Sequence, residues 1–597
     1  MTRVEGTGRP VPHGHNGLVA DLGTDVVARL RAAGVERGGF VGLALRDGLG
    51  VGFAAGDVAF GVDAAAPVDV VRTIEDALQP RWVVWSNDVA AVLVDGRLRL
   101  ARCWDIAAVH RLLFGGWRAD PARVIAVLSD LPTSGIPAMG QLNLLDATGD
   151  DGSDFDNPLR PDGYLRPEWV GGGWADSAER MARWAATALA TQAHQQRRLA
   201  VLDAPARASA AARSESAAEL LCAELAADGL PIDVARAEQI IASFVGPRTS
   251  SEADAAAERA RRDAEVLRHV PASNDIDLRN PAGVKSLLNR VGVDVPNTRA
   301  WRLEPFRDAH PVVDAVLTWR KAERIATTYG YAWLDEHVVD GRLRGAWTGC
   351  DGAAGRMTAQ AGLHNLPADM RDAVAAEPGY VFVRADLGQI EPRVLAAISG
   401  DRQFAAATAD DDMYAPVAAR LGVERAIAKV AVLAAMYGQT SGNAGQALRG
   451  LETAYPVAME YLRAADEAGR DERDLRTYGG RLLRMWPTPD HLDERERRAV
   501  ANARGRFARN AMVQGAAAEL FKTWAVTVRA RAAVHGARIV LCLHDELLVH
   551  APVAAADTVA AVLDDCLQEA ASRWAPDRAV RFVADTSIIT RWSDAKP

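Results

Sequence analysis

Three things are scarce in this chain, and each scarcity closes off a class of protein. Long apolar runs are missing. No stretch approaches the ~18 consecutive apolar residues of a membrane-spanning helix, and residues Met1 to Asn16 are rich in Gly, Pro and His with no apolar signal core. Cysteine is sparse: Cys103, Cys222, Cys350, Cys542 and Cys566 are scattered without a C-x-x-C pair. That argues against a zinc knuckle or a disulfide framework and fits a reducing compartment. Net positive charge is also absent. With 69 basic against 78 acidic residues the balance is -9, so no global positive field advertises nucleic-acid binding, and a polyanion must be met by local basic surfaces. The expectation is a soluble cytoplasmic protein with a short, loose N-terminus.

The chain has 597 residues, enough for roughly three to five domains at ~100 to 200 residues each. No internal repeat is visible. The first segment mixes β-branched runs, Trp82 to Trp85 and Ala90 to Val94, with helical stretches at Ile106 to Phe114 and Ser177 to Leu202, which predicts an α/β unit. Asp203 to Ser216 is rich in Ala, Arg and Ser, the composition of a linker or a solvated helix start, so a boundary is expected near residue 200 to 215. From Ala217 to about His337 helical periodicity dominates. It is interrupted at Gly246 to Ser251 and at Asn280-Pro281, both turn or helix-start chemistry. Strands return near 380 and 540, separated by a long helical insertion from about 405 to 500. The charge-dense stretch Asp493 to Arg498 reads as a solvated helix face.

Two strand-end carboxylates organise the chemistry. Tyr380 to Ala385 reads as a strand ending at Asp386. After it comes Gln389-Ile390-Glu391-Pro392, which looks like a helix entered through an early proline. Ile539 to His550 reads as an apolar hairpin with His544, Asp545 and Glu546 at its apex. If the strands are neighbours, Asp386 and Asp545 meet at one sheet end, where mutual repulsion calls for a cation. Magnesium, which favours carboxylate, water and phosphate oxygens, fits that need. Between the two carboxylates, Arg425, Lys429, Leu433 and Tyr437 stand four residues apart and trace one slowly winding helical stripe. Its cations suit a triphosphate, and Leu433 and Tyr437 suit a flat base.

These three segments resemble motifs A, B and C of the family A DNA polymerases, the family of bacterial DNA polymerase I. Asp386-Leu387-Gly388-Gln389-Ile390-Glu391-Pro392-Arg393 is similar to D-Y-S-Q-I-E-L-R. Arg425 to Gly438 is similar to the R-x-x-x-K-x-x-x-F/Y-x-x-x-Y-G helix, and Leu543 to Glu546 to the V-H-D-E hairpin. Gly355 to Thr358, Leu363 to Pro367 and Asn510 to Glu519 resemble further conserved stretches, in the family's order. The likeness covers roughly residues 215 to 597.

That resemblance implies a multidomain α/β and α+β protein with a right-hand polymerase. An exonuclease-like, ribonuclease H-type α/β domain would span 1-205, a helical thumb 206-337, the first part of the palm 338-404, the fingers 405-500 and the second part of the palm 501-597. No separate 5′ nuclease domain is expected. It further implies that Asp386, Asp545 and the Leu387 carbonyl bind two Mg2+ ions (Mn2+ substituting), with Glu546 and Lys429 assisting catalysis. Arg425 and Lys429 would hold the triphosphate, with Gln389, Tyr414, Leu433 and Tyr437 around the deoxynucleotide, and Glu391 would exclude the ribose 2′-hydroxyl. Arg356, Asn365, Arg506, Gln514 and His544 would touch primer-template DNA, some of them through minor-groove acceptors common to all pairs.

Departures from the pattern are informative. Leu433 stands where the family carries Phe or Tyr, Ala434 replaces a usual glycine, and Tyr414 sits where many members have His. The candidate first strand, Phe40 to Asp47, lacks the D-x-E with which a 3′-5′ exonuclease normally begins. Asp105 and Asp176 read either as relics of later exonuclease motifs or as ordinary surface acids. The expected activity is template-directed DNA polymerisation, in replication or repair, by a monomer in a bacterial or phage-infected cytoplasm. Two alternatives stand beside it: a polymerase that retains 3′-5′ exonuclease activity, and a catalytically silent DNA-binding scaffold.

Overall fold

In a computed structural model the protein is described over residues 15–138, 156–270, 276–438, 444–543, 545–576 and 579–595, with backbone alone at 15–20 and 444–447. It divides into two compact units. One comprises Met1–Ala227, Ala346–Thr358 and Val383–Ile588, the other Asp228–Gly345, Ala359–Phe382 and Ile589–Pro597. Among the described residues no helix is long and apolar enough to cross a membrane.

The first unit opens on a five-stranded sheet. Its strands are β1 (Phe40–Arg46), β2 (Gly50–Ala55), β3 (Val58–Asp63), β4 (Arg81–Val84) and β5 (Cys103–Asp105), in the order β3-β2-β1-β4-β5. β1, β2 and β3 form an antiparallel meander, while β4 and β5 run parallel to β1. Alternation along the strands builds two cores. Val41, Leu43 and Leu45 join Val26, Leu30, Val70 and Ile74 of two helices on one face. Ala44 and Ala54 join Met181, Trp184 and Ala185 of the Ala178–Ala200 helix on the other. That second helix lies almost on the sheet backbone. A Cβ at Gly42 would sit 2.3 Å from the Ala185 carbonyl oxygen, and one at Gly52 2.1 Å from the Met181 carbonyl carbon. Glycine is required there by close approach.

Two sequence readings change in this region. Ala90 to Val94 is not a strand but part of the Asp88–Asp95 helix, with Ala90 and Leu93 buried and Val92 37% exposed. The three-residue spacing that faces the core overrides the β-branched composition. Asp203 to Ser216 is not a linker but a helix start, exposed at Asp203, Pro205 and Ala206 and buried from Ala208 onward on one face. It enters the Pro205–Asp228 helix, whose Ala208, Ala211 and Ala212 pack with Trp104, Trp184 and Leu199. Alanine there permits close helix packing rather than signalling flexibility, and the first break between the compact units falls after Ala227.

The same helix carries three buried glutamates. Glu215 meets Lys522 Nζ at 2.6 Å and Arg481 Nη2 at 2.6 Å, and these two cations hold its pKa below the usual range although burial pushes upward. Glu219 accepts from Asn87 Nδ2 at 2.8 Å and faces Arg111 at 3.4 Å. Glu224 pairs with Arg529 at 2.6 Å and Arg99 at 3.2 Å. Lys522 and Arg529 belong to the Glu494–Ala532 helix, 39 residues long. Its N-terminus is closed by an Asp493–Glu496 capping box, and Asp493 to Arg498 are all exposed, as the charge pattern predicts.

A second, four-stranded sheet in this unit has the order Arg538–Leu543, Glu546–Pro552, Tyr380–Leu387, Ala584–Ile589. The first two strands form the expected hairpin, with Leu543 opposite Glu546. The expected helical insertion is present as Arg402–Ala406, Tyr414–Leu421, Arg425–Tyr437, Ala444–Ala454 and Pro456–Arg470. A small ribbon pairing Leu475–Arg476 with Leu482–Leu483 follows it.

The second unit is mainly helical, as periodicity predicts. Val234–Val245, Glu252–Leu267, Pro281–Arg290, Pro311–Thr328 and Tyr331–His337 are its principal helices. Val284, Leu287, Leu288, Val312, Val316 and Trp319 share one core. The helix breaks fall at Gly246 to Ser251 and at Asn280, whose Oδ1 accepts the Ala282 N–H at 2.9 Å.

Candidate active site

Asp386 and Asp545 are joined by the backbone. The Leu387 N–H donates to the Asp545 carbonyl at 2.8 Å, so the end of the 380–387 strand is tied to the hairpin apex. The next residue, Gly388, donates to the Val583 carbonyl at 2.9 Å, and Gln389 turns the chain into the Ile390–Ser399 helix with φ 50. A non-glycine residue in that left-handed region is strained and must be held by its surroundings. Gln389 is held through its side chain, whose Oε1 accepts the Met413 N–H at 3.1 Å. Arg393, fully buried, clamps the rest. Its guanidinium donates to the carbonyls of Gly388, Thr408, Asp410, Asp411 and Arg581 at 3.0, 2.7, 2.8, 2.7 and 2.5 Å.

Negative charge accumulates at this sheet end. Asp545 is pushed up to about 7 by burial, then by the charges of Asp386 and Glu546. Burial also raises Asp386, against the pull of Arg384. Arg384 stands two residues before Asp386 on the same strand face and is 7% exposed. Its Nη2 lies 2.6 Å from Asp386 Oδ2 and its Nε 2.7 Å from Glu546 Oε1.

A divalent ion was implied by the resemblance, and the donor set fits one. Asp386 and Asp545 offer hard oxygens, and Asp545, raised first by burial, also feels the negative charges of Asp386 and Glu546. Among the described residues no three His, Cys, Asp or Glu side chains converge as a closed ligand set. An open pair of carboxylates suits magnesium, which keeps waters and substrate phosphates as its remaining ligands.

Two further clusters adjoin this one. Tyr437 donates its hydroxyl to Glu391 Oε2 at 2.9 Å, and burial and the Glu391 charge push its pKa up to about 12. Gln514 hydrogen-bonds Tyr437, and the charge of Arg356 is felt there. Arg425 is held by Asp412, with Nη2–Oδ1 at 3.2 Å, and its guanidinium carbon stands 5.8 Å from the Tyr414 ring centroid. Tyr414, 4% exposed, is pushed up to about 12 by burial and by Glu391.

On the Arg425–Tyr437 helix the expected stripe faces outward. Arg425, Lys429 and Tyr437 are exposed and Leu433 is half-buried, while Ala428, Ala431, Ala434 and Ala435 are buried. Ile427 and Val430 of the same helix are 42% and 57% exposed. Arg506 lies against the end of this helix, where a Cβ at Gly438 would come 2.9 Å from its Cγ. Asn365 belongs to the second unit, where its carbonyl accepts the Tyr329 hydroxyl at 2.7 Å. His544 lies outside the described residues.

Sequence reasoning gave no role to Arg384, Arg393 or Asp412. The signal for Arg384 was the two-residue period that puts it beside Asp386. Arg393 had a helical offset of four from Gln389. Asp412 had no signal, because its contact with Arg425 depends on how two helices meet.

In the N-terminal region the suggested relics have other duties. Asp105, 1% exposed, caps the Ile106–Phe114 helix by accepting the Ala108 N–H at 2.8 Å, and burial raises its pKa. Asp176 is exposed and meets Arg180 at 3.2 Å.

Comparison with known proteins converges on one family. The model of DNA polymerase family A matches residues 278–594, a range that includes both Asp386 and Asp545 and the Arg425–Tyr437 helix. DNA polymerase I of Chloroflexus aurantiacus is 31% identical over 327 residues, 49% of this chain and 34% of that protein. The thermostable DNA polymerase I of Thermus aquaticus is 30% identical over 352 residues, 53% of this chain and 42% of the relative. The chain thus spans well under half the length of these relatives. In structure it is similar to the POL domain of Pol1 from M. smegmatis, solved in complex with DNA primer-template and dNTP. The TM-score is 0.67 at 21% identity, covering 95% of this chain and 98% of that one. The likeness shows a shared polymerase-domain fold. Since the family model alone takes in more than half of the residues, this chain belongs to DNA polymerase family A.

Proposed function

We propose that the protein is a template-directed DNA polymerase that adds deoxynucleotides to a primer 3′-end and releases pyrophosphate. The observation that carries this reading is the junction of Asp386 with Asp545 through the Leu387–Asp545 hydrogen bond. Asp386, Asp545 and the Leu387 carbonyl would hold two Mg2+ ions, with Mn2+ able to substitute. When bound, such ions activate the attacking 3′-oxygen and stabilise the leaving one.

The chain's own residues supply the rest. Arg425 and Lys429 bind the triphosphate, Arg425 exchanging its Asp412 contact for phosphate oxygens. Glu391, fixed by the Tyr437 hydroxyl, forms the wall against which a ribose 2′-hydroxyl would press. Tyr414 backs Glu391 and the Arg425 side chain, Gln389 fixes the strand-to-helix turn, and Leu433 lines the base. Glu546, through Arg384, steadies Asp386. Arg356, Asn365, Arg506, Gln514 and His544 contact primer-template DNA. The helical second unit serves as thumb, the helices between 402 and 470 as fingers, and the four-stranded sheet as palm. The setting is a bacterial or phage-infected cytoplasm, and the enzyme acts as a monomer.

The N-terminal sheet is proposed to be an exonuclease-like domain without proofreading. Gly42 of β1 sits beneath helix backbone, Ala44 is buried in the apolar core on the same face, and Asp105 is committed to capping. Primer extension with MgCl2 and four deoxynucleotides tests the main reading. Extension by the parent that vanishes in Asp545→Ala supports it, and extension surviving that substitution refutes it. A labelled mispaired primer without nucleotides should release no mononucleotide; release abolished by Asp105→Ala would instead establish a second activity.

A further inference from the structure

A guanidinium at a magnesium site is out of place electrostatically, and Arg384 is such a group. Three carboxylates surround it: Glu546 at 2.7 Å, Asp386 at 2.6 Å and, more loosely, Asp585 at 3.7 Å. Asp585 is mostly exposed, whereas the side chains of Arg384 and Glu546 are each 9% exposed. Arginine does not lose its proton in a protein, so this charge is permanent. It takes up Oδ2 of Asp386, an oxygen of the proposed metal ligand. An ion arriving at Asp386 must therefore share that carboxylate with a fixed cation or displace it.

We infer that Arg384 is a resident counter-cation of the transfer site. Before metal arrives it holds Asp386 and Glu546 in place, and its charge weakens metal binding to the bare enzyme. Metal is then taken up together with the nucleotide, whose negative phosphates offset the guanidinium. Arg384 is a positioning residue in this scheme, and the inference rests on the polymerase reading of the site.

The test is direct binding of Mn2+ to the full chain, followed by the magnetic resonance signal of free Mn2+, with no nucleotide or DNA present. Arg384→Met keeps an unbranched apolar stem and removes the charge; Arg384→Lys keeps the charge. Arg384→Met is expected to bind Mn2+ at least about tenfold more tightly than the parent, the scale of one unit charge a few ångströms away in a half-buried site. Arg384→Lys should stay within about threefold of the parent, since only charge is at issue. Without metal, Arg384→Met should melt at a lower temperature than the parent, and Mn2+ should raise its melting point more. If Arg384→Met folds only when Mn2+ is added, the ion has replaced the guanidinium and the inference stands. Equal or weaker Mn2+ binding by a folded Arg384→Met overturns it, as does an unfolded variant that Mn2+ does not rescue. Failure here with normal primer extension by the parent sinks the role of Arg384 alone, whereas extension by Asp545→Ala sinks the polymerase reading.

Discussion

Tyr437→Phe removes one hydroxyl and with it the 2.9 Å bond to Glu391. A hydrogen bond to a charged group contributes about 1.5–3 kcal/mol. Tyr437 is 36% exposed, so water recovers part of that, and about 1–1.5 kcal/mol is the share expected to fix Glu391 against the sugar. Since ~1.4 kcal/mol corresponds to tenfold, the preference for deoxynucleotides over ribonucleotides should fall roughly five- to tenfold. Single-nucleotide incorporation measures it as the ratio of kcat/KM values. The change should arise from faster ribonucleotide insertion, with deoxynucleotide kcat/KM within about twofold of the parent. Because the Tyr437 hydroxyl titrates only at about 12, parental selectivity should be flat from roughly pH 7 to 9.5, a unit or more below that value. A Tyr437→Phe enzyme that extends primers normally with unchanged sugar selectivity would refute the proposed link between this bond and the sugar wall.

Other substitutions probe separate parts of the site. Leu433→Phe should restore a stacking platform worth about 1 kcal/mol and raise dideoxynucleotide incorporation several-fold; equal selectivity in side-by-side assays would contradict this. Arg393→Ala strips donors from five carbonyls around the Asp386 turn and should cost about 3–5 kcal/mol, read as a lower melting temperature and lost extension. Glu519 is buried, accepts the Gly479 N–H at 2.8 Å, and burial raises its pKa to about 7. An acid raised on folding binds its proton more tightly in the folded state, so its contribution is complete below about pH 4.5 and is lost as pH rises through about 7. Melting scans should show stability declining over that window in the parent, and Glu519→Gln should flatten the decline.

What could be read from sequence depended on how local the causes were. The Arg425–Tyr437 helix, the 546 hairpin and the Asn280 cap follow from spacing and turn chemistry within a dozen residues. Ala90 to Val94 was misread and Asp203 to Ser216 left open because composition was ambiguous and distant partners decided. Leu93 is helical for the core it meets, and Ala211 is buried because Trp104 and Trp184 receive it. At the site, the carboxylates were legible and their cation was not. Arg384 touches Glu546 across 162 positions of sequence, a contact no local pattern encodes.

The glutamates of the Pro205–Asp228 helix set a timetable for synthesis. Glu215 finds Lys522 at a separation of 307 residues, and Glu224 finds Arg529 at 305. At about 5–20 residues per second, a ribosome needs roughly 15–60 s to cover that distance. Throughout that interval the N-terminal sheet exists while the cations meant for its last helix have not been made. The helix that ends this first part must wait, with Glu215 lacking both Lys522 and Arg481, for segments near the other end. Folding of this unit therefore finishes late, and the Pro205–Asp228 helix completes its ion pairs only when the Glu494–Ala532 helix has been made.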